Sequence, residues 1–192
     1  MPIQLGARPD AGFDDPLRLL ADCHRRIEMF LMTLVDLAAD AEAALLPAQR
    51  AALTRSLDYF DKAAPKHTLD EEDSLFPRLR RREDPQLAGA LAQLDLLEAD
   101  HERANALHEE VDRIGRQWLR FNRLDPEAAR KLAGDLDQLA ALYARHIEVE
   151  EQVVFAAAAC ALGHEDLASI GREMADRRGV PWRPESPDSR ST

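Results

Sequence analysis

Two segments of the chain repeat one arrangement of histidine, glutamate and phenylalanine, and this repeat constrains the fold more than any other feature. The first segment is His67-Thr-Leu-Asp-Glu71-Glu72-Asp-Ser-Leu-Phe76, and the second is His146-Ile-Glu-Val-Glu150-Glu151-Gln-Val-Val-Phe155. A lone histidine precedes each segment at nearly the same separation, His24 before the first and His101 before the second. The two halves of the chain should therefore fold in a similar way. The repeated polar residues predict one metal site built from both halves.

Hydrophobic residues recur every three or four positions along most of the chain, which is typical of amphipathic helices and not of strands. An acidic residue stands before a proline at three candidate helix starts, Asp15-Pro16, Asp84-Pro85 and Asp125-Pro126, and this is the pattern of an N-cap followed by proline in the first turn. Leu46-Pro47 begins another helix without a good cap. These starts predict four long helices, at roughly 16–44, 47–82, 85–120 and 126–161.

Short connections between four long helices predict an all-α fold, an antiparallel up-down-up-down four-helix bundle. Pro65 should bend the second helix just before His67. A short C-terminal helix should run from His164 and stop at Gly179. We therefore expect an N-terminal extension over residues 1–15, the bundle over 16–162, the short helix within 163–179 and a disordered tail over 180–192, where Pro, Ser, Asp and Arg are enriched.

The charge and the apolar runs of the chain exclude several classes of partner. The formal net charge is −11, so nucleic-acid phosphates and anionic lipids would be repelled. The longest apolar run, Val153 to Leu162, is about half the ~20 residues that a membrane span needs. The two cysteines form no Cys-x-x-Cys pair, and the first residues do not have the pattern of a signal peptide. We expect a cytoplasmic protein with no nucleic-acid or membrane partner.

The spacing inside each repeated segment suits metal binding. Residues four apart leave one face of a helix, so His67 and Glu71 can reach the same ion, and His146 and Glu150 repeat the arrangement. Glu151 could bridge two ions as well. Alternatively, Glu72 and Glu151 could accept a hydrogen bond from the outer nitrogen of a ligating imidazole. A donor set of nitrogen and oxygen without thiolate suits iron, with manganese or zinc as alternatives.

Each of these residues taken alone has a simpler interpretation. A single histidine is more often a surface or core residue than a ligand, and His108 and His164 are placed in that class. Cys23 beside His24 is interpreted as a small buried residue, and Tyr143 either donates a hydrogen bond into the site or packs against it. The joint pattern is different, because four histidines and two glutamates in a bundle core are costly to bury without a metal or full pairing.

Four motifs together resemble the hemerythrin-like, or HHE cation-binding, family. They are Asp22-Cys-His24-Arg-Arg-Ile-Glu28, His67-x-x-x-Glu71-Glu72 with Phe76-Pro77, Ala99-Asp-His101-Glu-Arg, and His146-x-x-x-Glu150-Glu151. The resemblance implies a four-helix bundle that holds two iron ions in a non-heme di-iron centre, with an oxo or hydroxo group between them. It implies that one iron is bound by His24 and His67 and the other by His101 and His146. The bridging carboxylates would be Glu71 and either Glu150 or Glu151.

One departure from the oxygen-carrying members of that family bears on function. Those members have a second histidine one turn after the third-helix ligand, and this chain has Asn105 there. The equivalent position after His24 is Glu28, which is a candidate for an additional carboxylate ligand. The loss of an imidazole argues against reversible oxygen carriage and leaves an open coordination position for a small ligand.

Three functions remain open from the sequence. The first is a di-iron module that binds or senses a small ligand such as oxygen or nitric oxide, or iron or redox state, acting with an unidentified protein or electron-transfer partner. The second is an enzyme that reduces peroxide or oxygen at the same centre, with Glu28 and Glu102 as proton carriers. The third is a metal-free helical interaction module. The sequence does not decide whether the chain is an enzyme.

Overall fold

Every regular element of residues 11–181, the part of the chain described by this computed structural model, is helical. The α-helices are α1 (Pro16–Ala38), α2 (Pro47–Lys62), α3 (Ala64–Leu69), α4 (Phe76–Arg80), α5 (Ala88–Phe121), α6 (Pro126–Val149), α7 (Phe155–Ala161) and α8 (His164–Arg177). Two π-helical turns complete the long segments, the first π turn over Asp70–Leu75 and the second over Glu150–Val154. A 3₁₀ turn, Pro85–Leu87, precedes α5. The predicted all-helical fold is confirmed.

The helix starts form as the acidic residue and proline pairs predict. Asp125 accepts hydrogen bonds from the backbone N–H groups of Glu127 and Ala128, and Asp15 accepts one from Arg18. At the less favourable start, Leu46 supplies no side-chain oxygen, and Gln49 instead accepts a hydrogen bond from the Leu46 N–H. The side chains near each start therefore satisfy N–H groups that have no partner inside the helix.

The first helix ends earlier than the sequence predicts, at Ala38 and not near residue 44. The following residues turn away because they bond to the loop between α5 and α6. The N–H of Leu45 donates to the carbonyl of Asn122, and the N–H of Leu124 donates to that of Ala41, both at 2.9 Å. Asn122 itself has a positive φ of 68°, a conformation that asparagine tolerates better than most residues. These long-range bonds cannot be read from local helix signals.

The long helical segments pack so that each has two neighbours. Helix α1 contacts α2 and α6, and α5 contacts the same two helices. At Gly115 in α5 a Cβ atom would lie 2.8 Å from a methyl of Leu57 in α2, so glycine permits the close approach of these helices. No helix of residues 11–181 combines the length and the apolar character needed to cross a membrane.

The apolar core is divided into two clusters, with polar residues between them. Helix α1 contributes Leu20 to one cluster and Ile27 to the other, and His24 lies between the two. Helix α5 does the same with Leu97 and Ala104 on either side of His101. A polar layer inside the bundle is therefore covered by apolar packing on both sides, which excludes water from much of it.

Helix α8 packs against the first π turn and contributes Ile170 and Met174 to the apolar cluster that contains Leu20. Arg177, its last residue, and Arg178, which caps it, both bind Asp70, which is fully buried. Arg177 donates to Asp70 Oδ1 at 2.8 Å and Arg178 to Asp70 Oδ2 at 2.6 Å. The sequence predicted this short helix but not the ion pairs that it makes. The predicted disordered tail lies, over residues 182–192, outside the described part of the chain.

Replacing both Arg177 and Arg178 by alanine should lower the free energy of unfolding by about 3–5 kcal/mol, because the buried Asp70 carboxylate would lose its compensating charge. Equilibrium denaturation measures this change. The matched control is Arg172→Ala, since Arg172 is exposed on the same helix and, within residues 11–181, donates a hydrogen bond to Ser169 alone. Equal stability of the double variant and the control would show that the ion pairs do not stabilise the fold.

Candidate metal centre

Six buried side chains from four long helical segments meet in the polar layer. The four histidines are His24 on α1, His67 on α3, His101 on α5 and His146 on α6, and the two glutamates are Glu71 and Glu150, one in each π turn. Their ligand atoms form two overlapping groups, each within 4.8 Å. The first group contains His24 and His67, the second contains His101 and His146, and both contain the two glutamates.

The inner nitrogen of each histidine faces a shared carboxylate. His24 Nε2 is 3.1 Å from Glu150 Oε2, and His146 Nε2 is 3.2 Å from Glu150 Oε1. On the other carboxylate, His67 Nε2 is 3.4 Å from Glu71 Oε1, and His101 Nε2 is 3.5 Å from Glu71 Oε2. Each glutamate thus presents one oxygen to each histidine pair, which is the arrangement of a carboxylate that bridges two ions.

Two π turns position these glutamates. The sequence predicts the glutamates as ligands but does not predict the π turns. The first π turn begins directly before Glu71, and the second begins at Glu150. A π turn adds one residue to a helical turn, so it changes the direction of the side chains that follow it. Both π turns lie at nearly the same place in the two repeated segments. The repeat is therefore the feature of the sequence with which the π turns coincide.

Two further glutamates hold the outer nitrogens of the histidines, and they cross between the halves of the chain. Glu151 lies 2.9 Å from His24 Nδ1, and Glu72 lies 2.7 Å from His101 Nδ1. Glu151 and Glu72 are 43% and 31% exposed, so they contact the cluster from its outside. The structure therefore separates Glu150 from Glu151: Glu150 belongs to both groups, and Glu151 fixes the orientation of His24.

The outer nitrogens of the other two histidines lie in weaker surroundings. His146 Nδ1 is 3.8 Å from Asp100 Oδ2, and Arg145 holds this carboxylate with bonds of 2.7 and 2.9 Å. His67 Nδ1 is buried and has no hydrogen-bond partner in residues 11–181. The two pairs of histidines are therefore related by the repeat but have different environments.

Four other residues named from the sequence lie outside the two groups. Glu28 is exposed on α1 and is not brought to the cluster, because its helix turns that position toward solvent. Cys23 is buried, and its sulfur accepts a hydrogen bond from Arg26. His108 and Tyr143 bond to each other, with 3.0 Å between His108 Nε2 and the Tyr143 hydroxyl. Tyr143 also packs edge-on against His146, with 6.4 Å between the ring centroids.

The cluster without a metal is balanced by protons. Burial lowers the pKa of a histidine, but Glu150 and Glu71 outweigh burial at His24 and raise its pKa. At His101 the same competition with Glu71 raises the pKa to about 9. Burial dominates at His67 and lowers its pKa to about 4. Burial alone would raise the pKa of Glu71, but His67 and His101 outweigh it, and the pKa is lowered.

The donor atoms fit metal ions. Both oxygens of Glu71 and of Glu150 are buried without a hydrogen-bond partner in the described chain, although an unsatisfied buried carboxylate is costly. Imidazole nitrogen and carboxylate oxygen bind zinc at about 2.0–2.2 Å, so neighbouring ligand atoms on an ion of similar size lie about 3–3.5 Å apart. The contacts of 3.1–3.5 Å between nitrogens and shared oxygens match that separation.

Comparison with known proteins agrees with this geometry. The model of the family described as hemerythrin HHE cation-binding domain matches residues 15–158, about three quarters of the chain. The chain belongs to this hemerythrin family. An uncharacterized protein of Haemophilus influenzae is 30% identical over 172 residues, which cover 88% of this chain and 94% of that protein. The hemerythrin match includes all six clustered residues and ends before α8, so the arginines that bind Asp70 lie outside it.

Replacing Glu151 by alanine should weaken metal binding about 10–100-fold, because His24 would lose the acceptor that fixes its ring and tautomer. Competition with a chelator at fixed pH measures this. Glu148→Ala is the matched control, since Glu148 is an exposed glutamate on the preceding turn. If the two variants bind metal equally well, the outer carboxylate has no role in the site.

Metal binding should release protons, and the affinity should rise as the pH approaches about 9. The His101 imidazole has a pKa of about 9 in the metal-free protein, so it is protonated at neutral pH, whereas a ligating imidazole must be neutral. The proton on His101 therefore competes with the metal below about pH 9 and ceases to compete above it. Zn²⁺ affinity, measured between about pH 7 and pH 9 and corrected for protonation of the competing chelator, tests this. A constant affinity would contradict it.

Proposed function

We propose that this chain binds two iron ions in one centre, with His24 and His67 on one ion, His101 and His146 on the other, and Glu71 and Glu150 shared. The observation that carries the proposal is that two four-residue groups overlap in both glutamates. Membership of a cation-binding family supports a metal at this place. The nitrogen and oxygen donors favour iron, and manganese or zinc would use the same side chains.

We propose that the centre binds or senses a small ligand, oxygen or nitric oxide, or the state of iron itself. When bound, an iron pair supplies electrons and coordination positions for such a ligand. The chain supplies the surroundings: Glu151 and Glu72 orient two of the imidazoles, and apolar clusters on both sides exclude water. A cavity of about 30 Å³ adjoins all four histidines. One water needs ~10–15 Å³, so this volume suits a ligand of two or three atoms.

Reduction of peroxide or oxygen at the same centre is the alternative. The observation in its favour is that Glu72 and Glu151 are partly exposed and each touches a buried histidine. These pairs connect the site to solvent and could carry protons that such a reduction consumes. Glu28 and Glu102, the acids proposed from the sequence, are exposed and in neither histidine group. A metal-free interaction module has the unpaired oxygens of Glu71 and Glu150 against it.

The finer architecture and the cellular setting are part of the same proposal. The connections after α1, α4 and α5 are short, which supports an up-down-up-down order of the long segments. Both Cys23 and Cys160 are free, which suits a cytoplasmic protein. A separate protein would exchange electrons with the centre or receive its signal, and nucleic acid and membranes would not be partners.

Protein expressed with added iron and purified in air should contain two irons per chain, one for each histidine group. The double variant His67→Ala/His146→Ala removes one ligand from each group and should lose most of this iron. Elemental analysis measures the content of both proteins. The control is His164→Ala, because His164 is an exposed histidine at the start of α8. Folded parent protein with no bound metal would overturn the proposal.

The binding and enzymatic alternatives separate once iron is bound. A sensing or binding module should change its visible spectrum with oxygen or nitric oxide and consume peroxide no faster than a His101→Ala variant. An enzyme should consume peroxide repeatedly, and the rate should fall in that variant. Stopped-flow absorbance measures both behaviours in the same preparation.

A further inference from the structure

The cavity beside the four histidines lies next to a larger opening on the surface. This opening is a cleft of about 410 Å³ between α2, the start of α3 and α5. Four residues line both the inner cavity and the cleft: Phe60, Pro65, Asn105 and His108. Since the same side chains border both spaces, they are the boundary between the surface cleft and the candidate metal centre, and we call this boundary the mouth.

The helix break at Ala63 explains why the mouth lies here. Helix α2 ends at Lys62, α3 begins at Ala64, and Pro65 cannot donate the backbone hydrogen bond that would continue the helix. The helix is therefore interrupted one turn before His67, and Pro65 lines the cleft together with Asn105 of α5. Asn105, exposed on the facing helix, follows His101 by one turn. A small polar residue at this position leaves room that a larger ring would fill.

His108 is held in a fixed orientation at this mouth. Its ring stacks on Phe60 with 4.2 Å between centroids, and its Nε2 bonds to the Tyr143 hydroxyl at 3.0 Å. Its other nitrogen, Nδ1, is buried and has no hydrogen-bond partner in the described chain. Burial lowers the pKa of His108 to about 4, so the ring is neutral and retains hydrogen-bonding capacity. A neutral, fixed ring that lines the cavity can contact a ligand without repelling it.

A second surface cleft approaches the site from another side, but it contacts a different part of the cluster. It has a volume of about 230 Å³ and touches a single one of the four clustered histidines, His146. The nitrogen of His146 on the side of this cleft is Nδ1, which faces Asp100, whereas Nε2 faces Glu150. The Asp100–Arg145 ion pair lines the same cleft. This approach therefore meets the outer side of one imidazole and not the space between the four.

We propose that a ligand of two or three atoms enters through the mouth formed by Phe60, Pro65, Asn105 and His108, and that His108, positioned by Tyr143, contacts it inside the cavity. This inference rests on the proposed di-iron centre and adds its entry route and a residue that selects the ligand. The class of ligand is a small linear molecule or anion with a hydrogen-bonding atom, for which azide and nitric oxide are probes.

Azide binding to the iron-loaded, oxidised protein tests the route. Stopped-flow absorbance, recorded at the azide-to-iron charge-transfer band, gives the rate constants for azide association and dissociation. Asn105→Trp should slow both rates at least ~10-fold with little change in Kd, because a narrowed mouth hinders entry and exit equally. Asn105→Phe should give a smaller effect in the same direction, and it replaces the Trp variant if that protein does not fold. The matched control is Ala106→Trp, the next residue on α5, which is exposed and lines a different groove.

The contact with His108 has a separate signature. His108→Phe keeps a ring against Phe60 but removes the polar nitrogens, so azide should dissociate up to about tenfold faster, the effect of one hydrogen bond, with little change in its association rate. Unchanged dissociation would remove His108 from ligand binding.

The remaining outcomes distinguish this inference from the proposed function. If the parent protein binds iron and azide and Asn105→Trp binds azide as fast as Ala106→Trp does, the entry route is wrong and the metal centre stands. Faster azide binding in Arg145→Ala together with unchanged rates in Asn105→Trp would move the route to the second cleft. A parent protein without iron would overturn the proposed function itself.

Discussion

Two carboxylates without hydrogen-bond donors, buried between two apolar clusters, are the constraint on which the rest of this structure depends. Glu71 and Glu150 are fully buried, and none of their four oxygens has a hydrogen-bond partner in the described chain. Charges in such a place have to be balanced by protons or by metal ions. The surrounding imidazoles can provide either balance, because the glutamates raise the pKa of His24 and His101 in the metal-free protein, and an imidazole becomes a neutral ligand when a metal displaces its proton. Each long helical segment contributes one of these imidazoles, so the site forms only when the four segments pack together.

The repeat in the sequence appears in the structure as two related halves that depend on each other. The outer nitrogen of His24, in the first half, is held by Glu151 from the second, and that of His101 is held by Glu72 from the first. Each half supplies both histidines of one pair but depends on the other half for the glutamate that holds an outer nitrogen. The two halves differ at the outer nitrogens of His67 and His146. They differ again at the C-terminal end of α8, where two arginines bind Asp70, the residue before Glu71. The halves therefore share ligands while their surroundings differ, and the two candidate ion positions are not equivalent.

The sequence predicts the helices and the six clustered residues because both follow from short-range regularities. Helix starts follow from acidic residues before prolines, and the histidine and glutamate positions follow from spacing within a repeat. The choice between Glu150 and Glu151 could not be made in this way, because both lie within about one turn of His146 and the second π turn decides which side chain faces inward. Glu28 has a suitable spacing from His24, but α1 turns it toward solvent. The bonds from Arg177 and Arg178 to Asp70 join residues that are distant in sequence, and no local pattern predicts them.

The central claim is that Glu71 and Glu150 bridge two ions within one centre, and the magnetic coupling of the bound irons tests it most directly. Shared carboxylates hold the irons close enough to couple. Mössbauer spectra of ⁵⁷Fe-loaded, oxidised protein, recorded at low temperature with and without an applied field, should show a coupled ferric pair with no net spin, together with a silent electron paramagnetic resonance spectrum. Two independent high-spin ferric signals, each with its own magnetic splitting, would show that the ions do not share the glutamates and would contradict the account.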